Sequence, residues 1–93
     1  MTTALRISER DNVAVALEVI EAGRVVELPG ARVVARATIP SGHKVALVDI
    51  PAGQPVIKYG SPIGLATAAI AAGDHVHVHN VESTRGRGDK RPA

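Results

Sequence analysis

The sequence predicts a small, mainly β domain of short strands and tight turns with little helix. Three observations carry this prediction. An apolar anchor, a two-residue turn and a glycine recur in Ile39-Pro40-Ser41-Gly42, Ile50-Pro51-Ala52-Gly53 and Ile70-Ala71-Ala72-Gly73, each followed by a new apolar run. Glycine suits a turn that needs positive φ, and proline after isoleucine presets the turn entry. The apolar runs are short, rich in Val and Ile, and bounded by turn pairs. The Ala-rich stretch 65–70 is flanked by Gly64 and Gly73, too closely for a long helix.

Asp11-Asn12 is a turn signal, and the run 13–20 reads as a strand, with a helix up to Gly23 as the alternative. Residues 24–28 form a short strand closed by the turn pair Pro29-Gly30. Residues 31–39 form another, with Val33, Ala35 and Ala37 on one face. The three glycine corners follow, 11 and 20 residues apart, which is no solenoid period. Residues 59–64 read as a loop by composition, residues 65–70 as one helical turn or a strand, and residues 75–81 as a strand. The expected boundaries are a domain over 1–82 and a basic, flexible tail over 83–93.

Ninety-three residues make one compact domain. With 45% hydrophobic residues it is no disordered chain, yet Tyr59 is its only aromatic residue. A core of Val, Ile, Leu and Ala packs thinly, so docking on a partner, or a homo-oligomer of the isolated chain, is expected. The absence of cysteine excludes disulfides, thiolate metal sites and cysteine nucleophiles, and favours the cytoplasm. No apolar run approaches the ~20 residues of a membrane span, and no signal peptide is apparent. Arg85, Arg87, Lys90, Arg91 and Asp89 carry the net charge of +2; without them 7 basic and 8 acidic residues remain. The folded part thus has no basic stripe and the tail no interleaved aromatics, which argues against nucleic acid as a partner.

The strongest chemical feature is Asp74-His75-Val76-His77-Val78-His79-Asn80. On a strand, His75, His77 and His79 would share one face, with Val76 and Val78 in the core. Neighbouring histidines would lie ~7 Å apart and the outer two ~13 Å apart, so two could meet on one metal ion but not all three. The same pattern fits an edge strand with a polar face, and the residues leave both readings open. His43-Lys44, just after a glycine corner, could supply an acid or base and a carboxylate binder, or be a solvated turn. Tyr59 is either a packed ring or a substrate donor, and the Arg85-Gly86-Arg87-Gly88 segment either an anion binder or solvated. No dinucleotide fingerprint, phosphate-binding loop, zinc-protease motif or nucleophile elbow is present.

Four ordered segments carry a family resemblance: Asp11-Asn12-Val13-Ala14-Val15-Ala16-Leu17; Ile39-Pro40-Ser41-Gly42-His43-Lys44-Val45-Ala46-Leu47; Val56-Ile57-Lys58-Tyr59-Gly60 with Ile63-Gly64; and His75-Val76-His77-Val78-His79-Asn80. Over residues 5–84 the chain resembles the N-terminal region of altronate dehydratase and, more loosely, of galactarate dehydratase. The resemblance implies an SAF-type domain with a β-clip fold. In those enzymes a much larger catalytic domain follows, so the resemblance implies a split enzyme whose large catalytic subunit is a separate chain. The small subunit of the sulfolactate sulfo-lyases is similar, and the tail from Asn80 onward departs from altronate dehydratase, so altronate is not the assured substrate.

The implied reaction is water elimination from a small sugar-acid substrate, an aldonate or aldarate, to a 2-keto-3-deoxy acid. The implied cofactor is a divalent metal, Fe(II) first, with Mn or Mg as alternatives, holding the enediolate oxygens. Resemblance and residue chemistry together assign His43 and His77 as catalytic. His77 and His79 are assigned to metal, and Lys44, Tyr59 and Asn80 to substrate. Asp11 and Asn12 match the family motif without an assigned role. The alternatives are a sulfo-lyase small subunit and a non-catalytic docking or carbohydrate-acid-binding module.

Overall fold

A computed structural model describes residues 3–83. Those residues contain no helix and nine short strands: β1 (Ala4–Leu5), β2 (Val13–Ala16), β3 (Val25–Leu28), β4 (Ala31–Val34), β5 (Lys44–Ala46), β6 (Pro55–Lys58), β7 (Ser61–Ala66), β8 (His75–Val76) and β9 (Val81–Ser83). They form an antiparallel sheet ordered β1-β2-β5-β8, a hairpin β3-β4, and a sheet ordered β6-β7-β9. The mainly β expectation holds. β9 includes Ser83; the rest of the expected tail lies outside the described residues.

One local device, used four times, organises the chain. Its pattern is Ala-x-x-x-Ile-x-x-Gly, at residues 16, 20 and 23; 35, 39 and 42; 46, 50 and 53; and 66, 70 and 73. The four glycines have φ of 85 to 93°. Each Gly N–H donates to the carbonyl of the alanine of a partner copy: Gly23 to Ala35, Gly42 to Ala16, Gly53 to Ala66 and Gly73 to Ala46, at 2.7 to 2.8 Å. The same alanine N–H donates back to the residue after the glycine. Ile20 and Ile39 exchange both backbone hydrogen bonds, as do Ile50 and Ile70. All four isoleucines are buried. A turn that needs positive φ, an isoleucine to bury and a small residue under the crossing chain are the same need met four times.

The first pair of isoleucines sits in a core with Val26, Val33, Ala35 and Val45; the second sits in a core with Val13, Ala46, Val56 and Val76. The four-stranded sheet lies between them. Ala14, Ala16 and Val45 face the first core, and Val13, Ala46 and Val76 face the second, as strand alternation requires.

Several expected elements are shorter than the sequence reads. The run 13–20 is a strand only to Ala16, and 31–39 only to Val34, leaving Ala37 exposed, because each chain must break to reach its isoleucine bridge. The fourth corner, Ile20-Glu21-Ala22-Gly23, lacks proline and hides inside an apolar run. Residues 59–64 are not a loop. Lys58 pairs with Ser61 across a two-residue turn, Tyr59-Gly60, and β7 begins at once. Both turn residues have positive φ, 56° and 74°, the twist that a tight hairpin favours.

Asp11 and Asn12 join the two halves. Asp11 is 5% exposed, and its carboxylate accepts from Ser8 N–H at 3.1 Å and Gly60 N–H at 2.8 Å. The Asn12 side chain accepts from Ile57 N–H at 2.7 Å and donates to the Pro55 carbonyl at 3.0 Å, bracketing the irregular register at Val56/Ile57. Burial alone would raise the Asp11 pKa, but the backbone N–H groups of Gly60, Ser8, Tyr59 and Ile7 outweigh it and hold it below the ordinary 3.8. Its stabilisation is therefore complete above pH 3.8 and is lost as pH falls through the lower, folded-state value. Asp11→Ala is expected to cost about 1–3 kcal/mol at pH 7, because two N–H groups lose their acceptor. In urea melts the gap between variant and native chain should close as the pH falls below about 4; a gap that stays constant would contradict the ionised cap.

Candidate functional site

The site forms where β5 meets β8. The register pairs Lys44 with Val76 and Val45 with His75, so His43, one residue outside β5, stands opposite His77. His43 follows Gly42 directly, and its carbonyl accepts from Ala16 N–H at 2.8 Å. His75 and His77 follow Gly73, whose N–H anchors on the Ala46 carbonyl. Two glycine corners thus deliver three imidazoles to one edge.

The geometry is tight. His43 Nδ1 and His75 Nε2 are 2.7 Å apart, so one ring donates a proton to the other. The His43 and His77 rings stack at 3.9 Å between centroids and 17° between planes. His75 lies 4.9 Å from His43 and 5.7 Å from His77. One nitrogen from each of the three lies within 4.8 Å of the others. All three residues are part-buried.

The continuous strand expected over 75–81 does not form. β8 stops at Val76 because Asn80 folds the chain back. Its side chain accepts from His77 N–H at 3.0 Å and donates to the His75 carbonyl at 2.9 Å, and its own N–H donates to the His77 carbonyl at 3.1 Å. Val78 therefore points to solvent, 82% exposed, instead of into the core. His79 flanks His75 at 5.1 Å between centroids but is outside the group of three whose nitrogens converge. His75, which the sequence placed on the same face without singling it out, takes its place. The Ala-x-x-x-Ile-x-x-Gly repeat was the available signal: docking Gly73 on Ala46 fixes the register that puts His43 opposite His77.

Burial first, and then the neighbouring histidines, push the His75 pKa below its ordinary value. For His77 desolvation leads, followed by His43, Lys44 and His79. No carboxylate is among these influences. Both rings are thus biased toward the neutral form, with lone pairs available.

The other expected site residues lie apart. Lys44 is next to His43 but points to the opposite sheet face, in a row with Val15 and Val76. Burial, then Lys58, lowers its pKa. Tyr59 is 59% exposed at the hairpin tip, with Lys58 Nζ 4.7 Å from its ring centre. Lys44, Lys58 and Tyr59 make a basic patch beside a groove lined by Leu5, Ile7, Val15 and Leu17. Asn80 holds the histidine loop, and Asp11 and Asn12 serve the fold.

The donor set also bears on the metal. Three imidazoles and no carboxylate suit zinc, iron, nickel or copper, whereas magnesium and manganese prefer oxygen ligands. The residues present fit a nitrogen-binding transition ion such as zinc or iron(II) and do not favour Mg or Mn.

Comparison with known proteins follows this geometry. Residues 2–84 match the family described as the altronate/galactarate dehydratase SAF domain. The chain is similar to altronate dehydratase of Escherichia coli K12, 49% identical over 79 residues, covering 85% of this chain and 16% of that protein. It is 37% identical over 83 residues to altronate dehydratase of Bacillus subtilis 168, covering 89% of this chain and 17% of that protein. It is also similar to the (2R)-sulfolactate sulfo-lyase subunit alpha of Paracoccus pantotrophus, 48% identical over 54 residues, 58% of this chain and 81% of that subunit. The chain thus spans about a sixth of the two dehydratases and matches most of a separate subunit.

Proposed function

The chain belongs to the altronate/galactarate dehydratase SAF domain family, and from that membership we propose that it is the small subunit of a split sugar-acid dehydratase. It works with a large catalytic subunit on a separate chain, eliminating water from an aldonate or aldarate to give a 2-keto-3-deoxy acid. The observation that carries this reading is the cluster of His43, His75 and His77 at a part-exposed edge. Such an edge is chemically equipped and open on one side, as a shared active site needs.

The reaction removes the proton next to a carboxylate and expels hydroxide from the neighbouring carbon. Imidazoles such as those of His43 and His77 can take up and return protons, and the His43–His75 hydrogen bond requires one of the two facing nitrogens to carry the proton. A divalent ion held by these histidines would stabilise the enediolate oxygens and assist the leaving hydroxide. On the other face, Leu5, Ile7 and Leu17 are exposed around a groove beside Lys58, an apolar and basic surface on which a large subunit can dock.

A second reading is a sulfo-lyase small subunit, favoured by the similarity that covers 81% of the Paracoccus pantotrophus subunit. A tagged pull-down from native cells separates the cases. A stoichiometric partner several times larger is expected, and the complex should turn over one of aldonates, aldarates or sulfolactate. A folded chain recovered without any partner would overturn the subunit reading.

A further inference from the structure

We propose that His43, His75 and His77 form a metal site belonging to this domain alone, selective for a first-row transition ion such as zinc or iron(II) over magnesium. This deepens the reading of the site, and rests on that reading only for the use of the ion, not for its binding.

Three imidazoles come from the adjoining ends of β5 and β8, which backbone bonds anchor through Gly42 to Ala16 and Gly73 to Ala46. The scaffold would hold them together with or without a partner chain. At a metal–nitrogen distance of ~2.0–2.1 Å, two ligands of a tetrahedral ion have nitrogens roughly 3.3 Å apart. The His43 Nδ1–His75 Nε2 separation is 2.7 Å, so the two rings would part slightly and exchange their hydrogen bond for the ion. The third nitrogen lies within 4.8 Å, so the ring of His77 must turn inward from its stack on His43. A part-buried ring at the start of a turn has room to do so, while its backbone stays fixed by Asn80.

A purely structural role explains the cluster poorly. Packing alone would be met by apolar or aromatic side chains, and solubility by a single polar residue. Three imidazoles in mutual contact, with one nitrogen of each converging, present the donor set that a shared cation takes. Three protein ligands also leave coordination positions open, as in catalytic rather than structural sites.

The test uses the full chain. Cobalt(II) serves as the optical probe, zinc(II) is followed by calorimetry, and magnesium(II) is the competitor. One ion per chain should bind, with d–d absorption of a nitrogen-rich site and no displacement by excess magnesium. His43→Gln, His75→Gln and His77→Gln should each weaken cobalt binding roughly 10–100-fold, with His79→Gln within about threefold of the native chain. Zinc should shift the ring resonances of all three histidines in the native chain, a readout that survives if a variant folds poorly. Absence of saturable uptake at millimolar cobalt, uptake unchanged in the three variants, or uptake that follows His79 would each overturn the site. An inactive complex with the ion still bound would overturn the enzymatic reading alone.

Discussion

His77→Ala, placed in the complex with the large subunit, is expected to lower turnover by about 10²–10⁴-fold while the complex still assembles. The ring of His77 is stacked on His43 at 3.9 Å, and its nitrogen is one of the three that converge. Removing it takes away one ligand or proton carrier and leaves His43 stacked only on His75. Because His77 is part-exposed, its loss should cost the fold little. His79→Ala is the informative companion. It lies inside the Asn80-closed loop but outside the group of three, so turnover should change only a few-fold. Steady-state assays with purified complex, beside a size measurement of the assembly, read both effects. Full activity in an intact His77→Ala complex would make this domain a docking module, with all chemistry on the partner.

Gly73→Ala is expected to be the most damaging small substitution in the fold. The four corner glycines share the same φ range but not the same surroundings. A Cβ at Gly23, Gly42 or Gly53 would meet nothing within 4 Å. At Gly73 it would stand 2.1 Å from the Val34 carbonyl oxygen and 3.1 Å from the Arg36 side chain. That closeness is structural, since Gly73 accepts from Arg36 N–H at 2.9 Å and so ties the fourth corner to the chain leaving β4. For Gly42→Ala or Gly53→Ala only the left-handed backbone is penalised, about 1–2 kcal/mol. At Gly73 a backbone clash is added, for about 3 kcal/mol or more. Against the roughly 5–15 kcal/mol of a typical domain, that loss is large. Urea melts of the three variants should rank Gly73→Ala well below the others. Equal losses would mean that the corner does not pack on β4. The histidines should feel it too, because His75 and His77 are aimed by that corner.

Much of the fold was legible because its cause is local. Gly42, Gly53 and Gly73 mark turns that L-residues enter only under strain, and the isoleucine before each marks what must be buried. Gly23 obeys the same rule but was masked by an apolar run without proline. The strands were read too long because hydrophobic alternation continues through Leu17 and Val19, which stay exposed, while the backbone turns away to bridge Ile20 with Ile39. The 59–64 segment looked like a loop because its Gly and Pro residues signal turns. Only pairing with β6 and β9 reveals that Gly64 is a strand residue under close approach by Glu82, where a Cβ would lie 2.5 Å from a carbonyl oxygen.

The site divides in the same way. The residue types alone marked the histidines as the candidate chemistry, with a polar edge-strand reading still open, and the ordered motifs pointed to the family and, with it, to His43 and His77. The tertiary structure decided which histidines meet. His43 and His75 are 32 positions apart, and their contact depends on the β5–β8 register, a long-range hydrogen-bonding choice that no local propensity encodes. It also decided that His79 flanks His75 without joining the group of three, since the Asn80 side chain outcompetes the strand ladder for the His77 N–H. Side-chain chemistry and turn preferences belong to single residues and short segments, so the sequence determined them by itself. Convergence of side chains belongs to chain pairings, and only the assembled sheet decided it.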